Sequence, residues 1–102
     1  MLILETFLFQ DRLSFLFKLG CTEANTDYTE NDIYDTADKN ANTERLCQEA
    51  CQRHPQCNWW MLDVYTWNKY GCWLKTEKDL SKKKTNKGRT FGPRFCRKHS
   101  SI

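Results

Sequence analysis

The stretch that decides the fold runs from Thr43 to Lys75 and reads T-E-R-L-C-Q-E-A-C-Q-R-H-P-Q-C-N-W-W-M-L-D-V-Y-T-W-N-K-Y-G-C-W-L-K. It holds four of the six cysteines and all four tryptophans. Leu46, Cys47, Ala50 and Cys51 recur at the spacing of one helix face, and Asn42 or Thr43 can cap its start. Pro55 closes the helix, because the residue before a proline is pushed out of helical geometry. Cys47 and Cys51 therefore point the same way from consecutive turns, and both need partners beyond the helix. Trp59 to Leu62 and Cys72 to Lys75 are short apolar or aromatic runs, separated by a polar segment ending in Gly71. They read as two strands packed on that helix.

Working outward, Cys21 to Asn42 is rich in Thr, Asn and Asp, the residues of turns and short edge strands. Asp32-Ile33-Tyr34 is its one apolar-containing step that could add a strand. Beyond Lys75, Thr76 to Lys87 reads as a long exposed loop, and Gly88 to Cys96 as a last extended strand with a Gly-Pro bend. Residues 97–102 read as a loose tail. Residues 1–20 are apolar and aromatic, but Glu5, Asp11 and Arg12 break the run that a secretory signal or a membrane span requires. A degenerate leader, an amphipathic extension and an artificial extension all remain open for them.

A chain of 102 residues supports one domain. With 39% hydrophobic residues and a mean hydropathy of -0.80, its core is small and in need of staples. Six cysteines supply them and point to an oxidising compartment: secreted, cell-surface or inside a secretory organelle. They allow fifteen pairings, and spacing alone does not choose among them. A Cys47 to Cys51 bond is disfavoured, since the two side chains run parallel up the helix. A nested set, Cys51 to Cys57 across the Pro55 turn, Cys47 to Cys72 on the neighbouring strand and Cys21 to Cys96, requires no crossing of chain. No Asn-X-Ser/Thr sequon occurs.

Cys21, the acidic stretch with Asp32-Ile33-Tyr34, Cys47-x3-Cys51-x5-Cys57-x-Trp59, Gly71-Cys72-Trp73-Leu74-Lys75 and Phe91-Gly92-Pro93-Arg94-x-Cys96 together resemble the PAN/apple domain. The resemblance covers residues 21–96. It implies an α+β fold, a small disulfide-rich domain with one helix packed on a short antiparallel sheet, and the nested pairing above. It also implies a non-catalytic role: the family binds proteins or carbohydrates, as in plasma protease modules and in the microneme adhesins of apicomplexan parasites. The Asn- and Lys-rich, Gly-poor texture is closest to the microneme type. Trp59-Trp60 and the polar insert from Asp63 to Tyr70 depart from the pattern.

Other chemistries fit less well. Cys47, Cys51, His54 and Cys57 offer three sulfurs and a nitrogen, but their spacing matches no common zinc finger. A cysteine nucleophile with His54 or His99 fits less well still, because oxidised cysteines supply no thiolate. The acidic stretch lacks the spacing of a calcium loop. No cofactor or metal is expected. For ligand binding the candidates are an aromatic platform of Tyr65, Trp67, Tyr70 and Trp73 beside Lys75, and a basic run of Lys82, Lys83, Lys84, Lys87 and Arg89. From residue 81 to 98 eight bases meet no acid, which suits a polyanion such as a glycosaminoglycan. The expected partner is a protein receptor or a glycan, with association between like domains as the alternative. Nucleic acid and stable membrane insertion are not expected.

Overall fold

The computed structural model describes residues 21–96; the expectations for residues 1–20 and 97–102 lie outside the described residues. Strand β1 (Glu23–Tyr28) precedes helix α1 (Glu44–Arg53), followed by β2 (Trp59–Asp63), β3 (Gly71–Lys75), a 3-10 turn at Leu80–Lys82 and β4 (Lys83–Pro93). The strands form one antiparallel sheet in the order β1-β4-β2-β3.

The helix starts where Thr43 Oγ1 accepts the Leu46 amide at 3.1 Å, satisfying one of the unpaired first-turn donors. It ends at His54, whose amide donates to the Cys51 carbonyl just before Pro55. Arg94 completes that end. Its guanidinium donates to the Gln52 and Cys57 carbonyls at 2.9 and 3.0 Å, while the Gln48 and Gln52 amides donate back to the Arg94 carbonyl.

Three disulfides staple this frame. Cys47–Cys72 ties the helix to β3, Cys51–Cys57 ties its last turn to the approach to β2, and Cys21–Cys96 joins the two ends of the described chain. Among the described residues no cysteine is free.

Alternation along β2 divides the core in two. Trp60 and Leu62 face the helix and join Ala41, Cys47, Cys51, Cys57 and Cys72. The Trp60 ring lies flat on Gly92, where an added Cβ would fall 2.3 Å from it, and its Nε1 donates to the Pro93 carbonyl. Met61 faces the other way and packs with Tyr28, Trp73 and Phe91, with Trp59 at the margin.

Two expectations are corrected. The chain from Lys83 to Lys87 is strand rather than loop: it pairs with β1, a short edge strand of the kind that the composition of residues 21–42 allows without locating it. The ribbon is polar and mostly exposed, so it lacks the apolar alternation that marks a strand, and a bulge at Asn25 (φ 55°) interrupts its register. Asp32-Ile33-Tyr34 adds no strand. It makes an isolated bridge to Lys75, and with a second bridge from Asp38 to Cys72 it covers the outer edge of β3.

Candidate functional site

The sheet face turned away from the helix buries charge. Asp63 closes β2 fully buried, and its Oδ1 accepts the amides of Tyr65 and Thr66, both at 2.8 Å. Its Oδ2 accepts Arg89 Nε at 2.8 Å, and Arg89 donates onward from its guanidinium to Asp27 Oδ2 at 2.8 Å. Lys75, 1% exposed on β3, sets its Nζ 2.8 Å from Asp32, 3.0 Å from the Glu30 carbonyl and 4.0 Å from Asp27 Oδ1. The result is a chain of alternating charge, Asp63, Arg89, Asp27, Lys75, Asp32, running across all four strands. Burial works to raise the Asp63 pKa, but the Thr66 and Tyr65 amides and Arg89 outweigh it and hold the carboxyl below its ordinary value.

Above this chain lies a cleft of about 310 Å³ whose walls include Asp27, Thr29, Asp32, Lys69, Trp73 and Lys75. Lys69 and Trp73 also border a shallower, more open depression beside Ile33, Tyr34 and Asp35. They partition the two: Trp73 Nε1 donates to the Lys69 carbonyl at 2.8 Å, and the Lys69 ammonium sits 5.2 Å from the Trp73 ring centre. Asp27 Oδ1 is buried and takes no hydrogen bond among the described residues. Such an oxygen is an acceptor short of a donor, with the Lys75 ammonium 4.0 Å away as its compensating charge.

The candidates from the sequence fall into three places. Tyr65 and Trp67 stand 65% and 86% exposed on the β2–β3 connection, with Lys87 Nζ 5.2 Å from the Tyr65 ring centre; Tyr70 is half-buried. Trp73, Lys75 and Arg89 do not join them on an open platform. Trp73 and Lys75 are buried, and all three line the cleft, because β3 and β4 carry these side chains inward onto Asp27 and Asp63. The basic run is likewise divided. Lys82 pairs with Glu30 and Lys83 with Glu23, leaving Lys84 and Lys87 as its exposed members with no acid partner among the described residues.

The acids Asp27, Asp32 and Asp63 and the cleft's Lys69 were not singled out. The one available signal was an acid or a lysine closing an apolar run, as Asp63 closes Trp59–Leu62 and Lys75 closes Cys72–Leu74. Lys78 was missed as well: its ammonium lies 2.9 Å from Glu23 and within 4.8 Å of the Tyr28 and Trp59 ring centres, pinning the β3–β4 connection over the second core.

One helix on a four-stranded antiparallel sheet, three nested disulfides and a cleft walled by fixed charges define a small stapled binding domain of the α+β class. A model of the PAN domain family matches residues 26–75, from within β1 to the end of β3. Residues 26–75 thus carry a PAN domain match, and PAN domains are generally non-catalytic modules for protein or carbohydrate binding. A search of curated proteins gave no match. The disulfides fit an extracellular or otherwise oxidising environment. Among the described residues no helix is long and apolar enough to cross a membrane.

Proposed function

We propose that residues 21–96 form an adhesion domain that binds a protein receptor or a surface glycan outside the cell, as microneme-type modules do in host-cell attachment. The observation that carries this reading is the cleft itself, walled by the carboxylate of Asp32, the ammonium of Lys69 and the ring of Trp73. Hydroxyl groups of a glycan, or a polar side chain of a receptor, can donate to Asp32 and accept from Lys69, against the apolar wall of Trp73. Sulfated glycans gain from Lys84 and Lys87, although the pairing of Lys82 and Lys83 with acids limits that attraction.

Screening glycan and receptor arrays with the folded domain, then repeating the positives with Lys69→Ala and Thr29→Ala, tests the reading. Each rim substitution is expected to weaken binding about tenfold. Affinity indifferent to both would remove the cleft as the site.

A second reading is assembly with a like domain through β1. The edge of β3 is covered by residues 31–38, whereas β1 ends the sheet on the other side. Sedimentation velocity over a wide concentration range separates the two, since a stable dimer favours assembly.

A further inference from the structure

Neither the cleft nor the neighbouring depression reaches the most exposed aromatic residues of the described chain. Val64, Tyr65 and Trp67 are 52%, 65% and 86% exposed and stand together on the connection leaving β2. That connection is firmly held. Asp63 Oδ1 takes the amides of Tyr65 and Thr66, the Lys69 amide returns to the Thr66 carbonyl, and the Val64 amide donates to the Gly88 carbonyl. Tyr65 also packs on Gly88 so closely that a Cβ there would lie 2.2 Å from its own, and Gly88 has a φ of 82° that disfavours other residues. The rings are therefore displayed by a fixed turn.

Along the turn and the strand beside it charge has one sign, although Lys69 also borders the depression that holds Asp32 and Asp35. Residues 64–71 and 82–90 contain no acid. Lys87 lies against Tyr65, Lys69 follows Trp67, and Lys84 is exposed farther along β4. Asp63 and Asp27 are buried and bound to Arg89; Asp38, across β3, is engaged by the Asn40 amide. An aliphatic residue, a tyrosine and a tryptophan displayed on a fixed turn and flanked by lysines match a bilayer interface, where amphipathic rings settle at headgroup level and lysines meet lipid phosphates.

We propose that the Val64–Trp67 turn is a peripheral docking point for a phospholipid surface, with an anionic component that Lys84 and Lys87 favour. It enters only to headgroup depth, binds reversibly and acts independently of the cleft, so a bound bilayer leaves Asp32 and Trp73 free for ligand.

The test is co-sedimentation of the folded domain with vesicles of phosphatidylcholine alone and of phosphatidylcholine with about one-fifth phosphatidylserine, a composition that samples the negative leaflet potential. Binding is expected to both and to be tighter to the anionic vesicles, with a blue shift of tryptophan emission that Trp67→Phe abolishes. Trp67→Ala should lower the partition coefficient about tenfold. Lys87→Gln should reduce binding to anionic vesicles only, and raised salt should erase the difference between the two compositions. Three results would overturn the proposal: no partitioning onto either vesicle, partitioning unchanged by Trp67→Ala, or retention on heparin without any vesicle binding. Unchanged near-UV circular dichroism of Trp67→Ala and Lys87→Gln certifies that loss of binding is not loss of fold.

Discussion

The two faces of the sheet are stabilised by opposite chemistry. Toward the helix, Trp60, Leu62 and four half-cystines make a core closed by covalent bonds and apolar contact. On the other side Tyr28, Met61, Trp73 and Phe91 share the space with Asp63, Arg89, Asp27 and Lys75, so apolar packing and buried ion pairs coexist. A buried ion pair seldom stabilises more than apolar residues of equal volume would. Here the paired charges also form the floor and walls of a polar cleft, which apolar residues of equal volume would not. The stapled face lets a chain this small tolerate the charged one.

The largest effect should come from reducing the stapled face. In the chain-entropy model the Cys47–Cys72 loop alone contributes about 3 to 4 kcal/mol, comparable to the whole stability of a small domain. Excess reductant should therefore unfold the domain, and loss of near-UV circular dichroism reports it. Survival of that signal would mean that the charged face, not the staples, carries the fold. Next comes Lys75→Met, which leaves Asp27 and Asp32 facing each other without their shared cation and should cost about 3 kcal/mol in urea unfolding. Adding Asp27→Asn to it should recover part of that loss. If the double variant is no better than the single, Lys75 is held by packing and the ionic account of this face fails.

This contrast also explains what could be read in advance. The helix and strands β2 and β3 were legible because capping, helical spacing and short aromatic runs are local signals, and Thr43, Pro55 and Gly71 mark their boundaries. Strand β1 and the first half of β4 were not located, because a polar ribbon that buries only Asp27 and Tyr28 imposes no periodicity and its pairing is set by residues far apart in sequence. The candidate site was half legible for the same reason. Trp73, Lys75 and Arg89 were noticed as residue types, but a lysine in a cleft wall and a lysine in solvent are the same letter. Only the approach of Asp27 and Asp63 from other strands decides which it is.

Acid should separate the faces more gently. Asp63 and Glu23 both titrate below their ordinary values, Asp63 through backbone amides and Arg89, Glu23 through Lys78, Tyr28 and Lys83, in each case against the opposing effect of burial. A carboxyl depressed in the folded state contributes stability that is complete above its unfolded value of about 4 and is lost as pH falls through the folded value. Titration from pH 5 downward should thus perturb the Trp73 indole resonance before that of Trp60, and Asp63→Asn should flatten the acid slope of stability. Simultaneous movement of both indoles would show that the faces melt as one unit.

The smallest effect is expected outside both cores. Trp67 is the most exposed large apolar side chain among the described residues, so Trp67→Ala should change unfolding free energy by less than about 0.5 kcal/mol. A residue that contributes so little to stability, yet is presented by a turn that Asp63 and Gly88 hold in place, is explained by what it meets outside the chain. A loss of more than about 1 kcal/mol would instead be the signature of a buried side chain. Trp67 would then belong to the fold, and the turn's display of aromatic rings would no longer call for an external partner.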